Sequence, residues 1–446
     1  MPYNELHRPQ VHFSPRENWI NDPNGLVFYE GEYHLFFQHN PDSVKWGNMT
    51  WGHAVSTDLM HWTQLDHALE PDELGTIFSG SAVVDWQNTG GFKQGEADPL
   101  IAFYTSAGRH VDPPKPFTQS IAYSNDRGRS WTKYANNPVI GHIRSNNRDP
   151  KVIWHEPSAQ WIMALYLDEN DYTIYGSANL VDWTRLQDLT LPGVTECPDF
   201  FELAVDGNQD NKKWVYWGAD GGYLIGSFDG ERFEPESEVL KAEFGKNGYA
   251  AQTWSDIPGE DGRCIQISWM RGGKYPAMPF NQQMSFPVAL RLRTTSDGIR
   301  LQRNPIREIE DLYEKTESYR NIDIEADRPL IPETRQDCFD VHIEFEVEGA
   351  ERFGLVVQGH AIEYCPVEQE VNCLGRVAPV RPVDGRVSFR LIVDRTSLEL
   401  FADNGSVLFS CCYLPEACDH PVQVYTKANR SLVASLVIHE LRSIWR

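Results

Sequence analysis

Short runs of alternating or clustered apolar residues follow one another along most of the chain, separated by turn-forming residues. Such runs lie at residues 25–29, 33–38, 100–105, 151–154, 161–165, 213–217 and 264–270. Runs of four to eight residues rich in aromatic and β-branched side chains are typical of β-strands, and apolar residues at helical spacing are scarce. Short polar turns at 28–33 and 154–161 join neighbouring runs as β-hairpins do. The pattern therefore predicts an all-β protein.

A serine-containing turn recurs in the first half of the chain. A serine stands two residues before an aspartate or asparagine, and an aromatic residue follows four or five residues later; the copies begin at Ser56, Ser124, Ser177 and Ser227. Such side chains stabilise turns, and the aromatic residue opens the next strand. The intervals of 68, 53 and 50 residues are typical of four-stranded propeller blades with loop insertions. Four copies and the strands at 264–292 predict a five-bladed β-propeller; a large β-sandwich with similar turns is the alternative.

The pattern of apolar and polar residues changes after residue 304. Residues 305–320 are charged and compatible with a short helix, and residues 322–334 are rich in proline, aspartate and glutamate, as linkers are. Alternation returns at 340–347, 387–393 and 398–401, which predicts a C-terminal β-sandwich. We therefore expect a propeller domain at residues 1–304, a linker with a short helix at 305–335, and a sandwich domain with a stabilising role at 336–446.

The charge composition of the chain indicates which classes of binding partner to expect. The 446 residues include 40 basic and 64 acidic side chains, a net charge of −24 with neutral histidines. Nucleic acids and anionic membranes are bound through clustered Lys and Arg, so we expect neither as a partner and favour a neutral substrate. The first fifteen residues lack a signal-peptide pattern, which leaves a cytoplasmic protein or a secreted one whose leader was removed. The eight cysteines lack metal-site spacing, so we expect mostly buried thiols, with a C-terminal disulfide left open.

The candidate chemistry rests on three acidic residues, each one or two positions before a proline. No phosphate-binding loop, HExxH motif or Gly-x-Ser-x-Gly elbow is present in the sequence. Asp22 precedes a proline that holds it extended. Asp149 follows Arg148, whose charge would lower its pKa, and Glu196 adjoins a cysteine and an apolar strand, where desolvation would raise its pKa toward that of a general acid. Each alone is more often a surface turn.

Together the three acidic residues indicate a sugar site. Equivalent strand starts in different propeller blades line one mouth of the central channel, so these carboxylates would converge there. Aromatic faces pack against the apolar face of a sugar ring while carboxylates bind its hydroxyls. The aromatic residues predicted to wall this site are Trp19, Trp46, Trp51, Phe78 and Trp254.

Six motifs, in order, resemble those of glycoside hydrolase family 32, which comprises invertases, inulinases, levanases and related fructosyltransferases. The motifs are WINDPNG (19–25), FQHNP (37–41), WGNMTWGH (46–53), FSGS (78–81), RDPKV (148–152) and ECPD (196–199). The likeness extends into the last module at 398–401 and 424–427, so it spans nearly the whole chain. It implies a five-bladed propeller followed by a β-sandwich.

The resemblance also implies a retaining double displacement on β-linked fructose. Asp22 would be the nucleophile, Glu196 the acid/base, and Asp149 the carboxylate that binds ring hydroxyls. No metal or cofactor is expected, because the protein's own carboxylates supply nucleophile and proton. The residues implied to line the pocket for the terminal fructosyl ring are Asn21, Gln38, Trp46, Phe78, Ser79 and Arg148.

One region departs from the family pattern. A tryptophan usual in the family's pocket is missing after residue 271, and Phe280 or Tyr275 is expected to replace it. The leading hypothesis is an exo-acting β-fructosidase of levan, inulin or sucrose, with a fructosyltransferase or an endo-acting fructanase as close alternatives. An inverting arabinan or xylan hydrolase fits the first motif poorly, and a non-catalytic sugar-binding propeller would not need all three acidic residues. Linkage preference, oligomeric state and compartment stay open.

Overall fold

The computed structural model describes residues 3–347, 351–427 and 430–445. Within these residues the regular structure is β-strand and four short 3-10 helices, which confirms the all-β prediction. No helix among them is long and apolar enough to span a bilayer. The 3-10 helices are Gly108–His110, Glu156–Ser158, Arg307–Leu312 and Asp403–Gly405.

The strands up to residue 305 build the first part of the molecule. They are β1 Asn18–Tyr29, β2 Glu32–Asn40, β3 Thr50–Ser56, β4 Thr63–Gln64, β5 Thr76–Val84, β6 Leu100–Ala107, β7 Phe117–Ser124, β8 Thr132–Lys133, β9 Arg148–His155, β10 Gln160–Asp168, β11 Asp171–Ser177, β12 Thr184–Thr190, β13 Asp199–Val205, β14 Asn208–Trp217, β15 Gly222–Phe228, β16 Phe233–Pro235, β17 Leu240–Lys241, β18 Gly248–Thr253, β19 Cys264–Met270, β20 Phe280–Asn281, β21 Val288–Thr295 and β22 Gly298–Pro305.

Twenty of these strands form five consecutive antiparallel groups of four, whereas β17 pairs with β15 and β20 pairs with β1. The groups are β1–β4, β5–β8, β9–β12, β13–β16 and the set β18, β19, β21 and β22. The first strands of neighbouring groups contact one another: β1 contacts β5 and β18, β5 contacts β9, and β13 contacts β9 and β18. These five strands, here called the ring strands, therefore close a ring.

The recurrent turn predicted from the sequence is present. Ser56 Oγ donates to Asp58 Oδ1 at 2.9 Å, and the backbone amides of residues 60 and 61 donate to the same oxygen. Trp62 Nε1 then donates to the carbonyl of Leu59 at 3.0 Å. Trp131 and Trp183 make the same bond to the carbonyl three residues earlier. Each turn thus satisfies its own polar groups and buries an indole ring, which lets the strands on either side pair.

A buried ion pair joins three ring strands inside the ring. Lys151 Nζ on β9 lies 3.0 Å from Asp199 Oδ1 on β13 and donates to the carbonyl of Thr253 on β18 at 2.9 Å. Both charged side chains are almost fully buried. Charges at this depth are tolerated only when paired and hydrogen-bonded, so the pair fixes the positions of these strands relative to one another.

The remaining strands form two antiparallel sheets that share one hydrophobic core. One sheet has the order β23-β33-β24-β29-β30-β31 and the other β28-β27-β26-β25-β32. The strands are β23 Tyr313–Ile324, β24 Phe339–Glu346, β25 Phe353–Val357, β26 His360–Cys365, β27 Glu370–Cys373, β28 Arg376–Pro379, β29 Arg386–Asp394, β30 Ser397–Ala402, β31 Val407–Cys412, β32 Val422–Thr426 and β33 Ser431–Leu441.

The interval 305–335 contains more structure than the expected linker with a short helix. A 3-10 helix at Arg307–Leu312 occupies its first part, as expected. The next twelve residues are strand β23, paired along its length with β33. Apart from the buried Glu317, its charged side chains face solvent, as is common on an edge strand, and this composition resembles that of a linker. The domain limits at 304 and 336 stay predictions.

The N-terminal segment links the two parts through a buried charge network. His12 Nδ1 lies 2.8 Å from Asp394 Oδ2, and His12 Nε2 lies 2.8 Å from Glu399 Oε2. The backbone amides of Gln10 and Val11 also donate to Asp394. Burial alone would lower the pKa of His12, but the two carboxylates outweigh it and raise the pKa to about 9. A protonated imidazole is therefore the stable form here at neutral pH.

We expect His12→Gln to destabilise the fold by about 3–5 kcal/mol at pH 6, because it leaves two buried carboxylates without their cation. The folded pKa of His12 exceeds the unfolded value, so its contribution is complete below about pH 6.5 and is lost as pH rises through about 9. Thermal unfolding at stepped pH should therefore show the wild-type advantage shrinking over this window. The partly exposed His61–Asp58 pair supplies the control: His61→Gln should cost little, and equal losses in both variants would contradict the expectation.

Candidate active site

The residues predicted from the sequence meet in one cavity of about 570 Å³, here called the first cavity. All nine predicted site residues line it. Its lining consists of Asn21, Asp22, Gln38, Trp46, Phe78, Ser79, Arg109, His110, Phe117, Asn146, Arg148, Asp149, Glu196, Cys197, Tyr249, Trp269 and Arg271.

Irregularities in the ring strands aim polar side chains into this cavity. The pairing of β1 with β2 shifts between Ile20 and Pro23, at Asp22. The pairing of β5 with β6 shifts next to Ser79, and that of β9 with β10 shifts next to Asp149. A bulge re-aims the side chain it contains and ends regular pairing. Asp22 is therefore oriented both by the proline that follows it in the sequence and by a bulge that is visible only in the structure.

Asp22 is held by two neighbours. Ser79 Oγ donates to its Oδ2 at 2.6 Å, and Asn21 Nδ2 donates to its Oδ1 at 3.1 Å. Asn21 is itself fixed, because its Oδ1 accepts from Trp19 Nε1 at 2.8 Å. Burial raises the pKa of Asp22, and the charge of Glu196 adds to this, while the two donors oppose it. The side chain is thus oriented with both oxygens in defined positions.

Asp149 lies at the start of β9 with a positive φ of 64°. Its backbone amide donates to Thr105 Oγ1 at 3.0 Å, and its Oδ2 accepts from the backbone amide of Cys197 at 3.2 Å. Burial raises its pKa to about 7; Arg148 opposes this, and the nearby carboxylates Asp22 and Glu196 reinforce it. The arginine lowers the pKa as the sequence predicted, but burial outweighs it.

Glu196 is held at both carboxylate oxygens. Arg148 Nη2 donates to Oε1 at 2.6 Å, and the hydroxyl of Tyr249 donates to Oε2. The residue lies just before β13 with a positive φ of 45°, and Cys197 follows at 34°. Together with Asp149, these are three non-glycine residues in the left-handed region within one cavity. Backbone strain of this kind costs about 1–3 kcal/mol per residue and is characteristic of functional sites.

Two groups bring the three carboxylates together. The Cys197 sulfur lies 3.8 Å from Asp22 Oδ2 and 3.5 Å from Asp149 Oδ2. Arg148 lies between Glu196 and Asp149, with its Nε 3.5 Å from Asp149 Oδ2. Arg148 is thus in contact with two of the three acidic side chains in a partly desolvated space. Because the pKa of Asp149 is raised to about 7, this carboxyl group can hold a proton near neutral pH beside the other two.

Aromatic side chains and a free amide complete the lining. The Trp46 side chain is 49% exposed and lies edge-on to Phe78, with ring centroids 6.0 Å apart. Gln38 is 2% exposed, and its Nε2 has no hydrogen-bond partner within the described chain. An exposed indole beside unsatisfied amide hydrogens suits a ligand with one apolar face and several hydroxyls.

Some sequence expectations about aromatic residues were wrong. Trp51 is fully buried and donates to the carbonyl of Phe78, and Trp254 lies at a different cavity. Tyr275 and Phe280 are buried against each other, so neither replaces a pocket tryptophan. Trp19 lies outside the lining as well. Strand alternation places an aromatic residue on a face, but only packing decides whether that face meets the cavity or the core.

The cavity includes residues that the sequence analysis missed. Tyr249 and Arg271 pack together, with the guanidinium carbon 3.9 Å from the ring centroid, and Trp269 lies edge-on to Tyr249. Tyr249 lies near the start of the fifth ring strand, where the recurrent turn is absent. The starts of all five ring strands line the first cavity. An inspection of every strand start, and not only of those with an acidic residue, would therefore have found Tyr249. Among the described residues no group of three or more His, Cys, Asp or Glu side chains could hold a metal ion.

Comparison with known proteins gives matches to both parts of the chain. The family model described as "Glycosyl hydrolases family 32 N-terminal domain" matches residues 12–305, and "Glycosyl hydrolases family 32 C terminal" matches residues 308–440. The levanase of Bacillus subtilis (strain 168) is 39% identical over 490 residues, covering 99% of this chain and 72% of the levanase.

Solved structures are similar over the whole chain. The exo-inulinase of Aspergillus awamori superposes with a TM-score of 0.90 at 28% identity and covers all of both chains. The β-fructofuranosidase of Schwanniomyces occidentalis complexed with fructosyl-erythritol superposes with a TM-score of 0.88 at 29% identity, covering 99% of each chain.

Proposed function

The chain belongs to glycosyl hydrolase family 32, and from this membership we propose that it removes terminal β-D-fructofuranosyl residues from fructans and sucrose with retention of configuration. It is a glycosidase whose relatives include a levanase and exo-inulinases. The observation that carries the proposal is the meeting of Asp22, Asp149 and Glu196 in one cavity. Two carboxyl groups that flank a glycosidic bond are the machinery such hydrolysis needs.

In the first step Asp22 attacks the anomeric carbon C2 of the terminal fructosyl unit. The bond from C2 to the bridging oxygen breaks while Glu196 gives its proton to that oxygen, so the rest of the substrate leaves as a neutral alcohol. The fructosyl unit is then an ester of Asp22. The bonds from Ser79 and Asn21 to Asp22 orient the attacking oxygen before substrate arrives.

In the second step a water molecule replaces the leaving group. Glu196, now a carboxylate, takes a proton from the water as its oxygen attacks C2, and the ester to Asp22 breaks. Fructose leaves, Glu196 is protonated again and Asp22 is a carboxylate again. Two displacements at C2 retain its configuration. Arg148 and Tyr249, which bind the two oxygens of Glu196, hold the acid/base in place for both proton transfers.

We assign Asp149 to binding ring hydroxyls rather than to bond making. Its carboxyl group is fixed by Cys197 and Arg148, and its ionised form places negative charge where the sugar ring becomes positively charged in the transition state. Such an interaction strengthens as charge develops and so accelerates the reaction.

We infer that the five antiparallel groups are the blades of a five-bladed propeller and that the two C-terminal sheets are a β-sandwich. The closed ring of first strands supports this arrangement, since blades place their first strands around a central axis. The ring strands begin at the first cavity, so the site occupies one mouth of the propeller.

The product profile tests the proposal. Incubation with inulin and levan, followed by chromatography, should give fructose as the new monosaccharide from the start of each reaction, and sucrose should give glucose and fructose in equal amounts. With methanol added, a retaining enzyme should transfer the fructosyl unit to methanol and form methyl β-D-fructofuranoside, because the methanol oxygen enters on the face the water uses. Methyl α-fructofuranoside would contradict retention. Early oligosaccharides of increasing length would favour transfer, and mixed short fragments an endo-acting enzyme.

A further inference from the structure

A second cavity of about 420 Å³ lies at the opposite end of the ring strands. Strand β9 begins with Arg148 and Asp149 in the first cavity and ends with Trp154 and His155 in the second. Strands β5 and β18 likewise have their starts at one cavity and their ends at the other. Among the residues described, the two cavities share no lining residue and occupy successive parts of the same strands, so they are separate sites.

The wall of the second cavity includes an exposed but fixed tryptophan. Among the 14 tryptophans, all within the described residues, only Trp46 and Trp86 are more than a third exposed. Trp46 lines the first cavity, and Trp86, at 54% exposure, lines the second. Trp86 Nε1 donates to Asp256 Oδ1 at 2.8 Å, and Asp256 Oδ2 accepts from the amide of Val84. The indole face is thus held toward solvent, where an apolar ligand surface would cover it.

Polar side chains with free hydrogen-bonding capacity line the second cavity together with this tryptophan. His155 is 4% exposed; its Nδ1 shares a hydrogen bond of 2.6 Å with Ser158 Oγ, and within the described chain its Nε2 has no partner. The Ser255 hydroxyl and the Gln87 amide line the same cavity and, across the described residues, have no side-chain hydrogen bond. None of these groups belongs to the buried unpaired atoms of the described chain, so each is open to solvent and available to hydrogen-bond a ligand.

The charge pattern decides which ligand fits. Glu156, Glu202 and Asp256 line the cavity, and the charge of Lys151 is already paired with Asp199. An anionic ligand would be repelled there. The groups that remain available are indole faces, carboxylates that accept hydrogen bonds, and neutral side chains that donate or accept them. This combination suits a neutral molecule with many hydroxyls.

We propose that the second cavity is a non-catalytic binding site for a segment of the fructan chain. The identity of the sugar rests on the proposed function, whereas the presence of a neutral-carbohydrate site rests on the cavity itself. A polymer bound there would keep the enzyme on its substrate between successive cleavages of chain ends at the first cavity.

Affinity electrophoresis in gels containing levan, inulin or dextran tests binding. The Asp22→Asn protein is used so that the polymer stays intact, and fructose is added to occupy the first cavity. We expect levan or inulin to retard this protein, and Trp86→Ala in the same background to weaken retention about 3–10-fold. Trp86→Phe should restore part of it. Trp183→Ala is the matched control, because Trp183 occupies a recurrent turn outside both cavities.

Kinetics of the otherwise wild-type enzyme provide the second readout. Trp86→Ala should raise KM for levan by a similar factor and leave kcat and KM for sucrose unchanged, since sucrose cannot reach both cavities. Unchanged retention in Trp86→Ala, equal loss in Trp183→Ala, or equal loss of sucrose and levan activity would overturn the proposal. Trp86-dependent retention by a protein that cleaves no fructan or sucrose would refute the proposed function and leave the second site standing.

Discussion

Asp22→Asn should lower kcat on sucrose and on fructans by about 10⁴–10⁶-fold, because an amide oxygen does not form the fructosyl ester. The substitution preserves shape, and the amide oxygen still accepts a hydrogen bond from Ser79, as the carboxylate does at 2.6 Å. It also removes one charge from a crowded acidic cluster. The melting temperature should therefore stay equal to that of the wild type or rise.

Intact mass spectrometry of samples quenched in acid separates this loss from weak binding. The wild-type protein, mixed with excess substrate, should carry one fructosyl unit on a fraction of molecules, and the variant should carry none. Asp403→Asn provides the same chemical change on a carboxylate in the second part of the chain and should leave turnover intact. Near-normal kcat in Asp22→Asn would remove Asp22 from the reaction.

Glu196→Gln should lower kcat/KM on sucrose by about 10²–10⁴-fold, the usual contribution of a positioned proton donor. The alcohol leaving group of sucrose needs a proton as its bond breaks. A substrate with an acidic leaving group, such as a nitrophenyl β-D-fructofuranoside, needs none, so its first step should be far less affected. The amide retains an oxygen toward Arg148 and a polar group toward Tyr249, which hold the wild-type side chain.

Azide distinguishes loss of the acid/base from loss of the site. Azide needs no general base, so it should attack the accumulated fructosyl–enzyme of Glu196→Gln and give fructosyl azide with restored turnover of the aryl substrate. The Asp22→Asn protein forms no such intermediate, so azide should not rescue it. If azide leaves Glu196→Gln unchanged, or if both substrates are slowed equally, Glu196 has another role.

The sequence predicted much of the fold because it rests on local chemistry. The alternation of apolar and polar residues determines where the strands lie. The recurrent turn satisfies its own polar groups within about eight residues, as between Ser56 and Trp62. The prediction of secondary structure was less accurate where the local composition fits both a strand and a linker. Strand β23 carries exposed charges on an edge and so resembles a linker, and only its pairing with β33 reveals it as part of a sheet.

The site was predictable where motif residues themselves carry the chemistry. Asp22, Asp149 and Glu196 stand one or two positions before prolines that restrict the backbone, and all three line the first cavity. The supporting residues carry no such local signal. Tyr249 is one tyrosine among 18, and its importance lies in a hydrogen bond to a residue 53 positions earlier in the chain.

By itself, the sequence determined the strands, the turns and the identity of the acidic residues, because these depend on neighbours along the chain. Tertiary structure alone decided which aromatic rings face a cavity, which charges pair and how far each pKa moves. Trp51 and Trp46 belong to one motif, yet one is fully buried and the other half exposed. Desolvation and long-range charge are properties of packed neighbours, and closing the ring of strands brings those neighbours together.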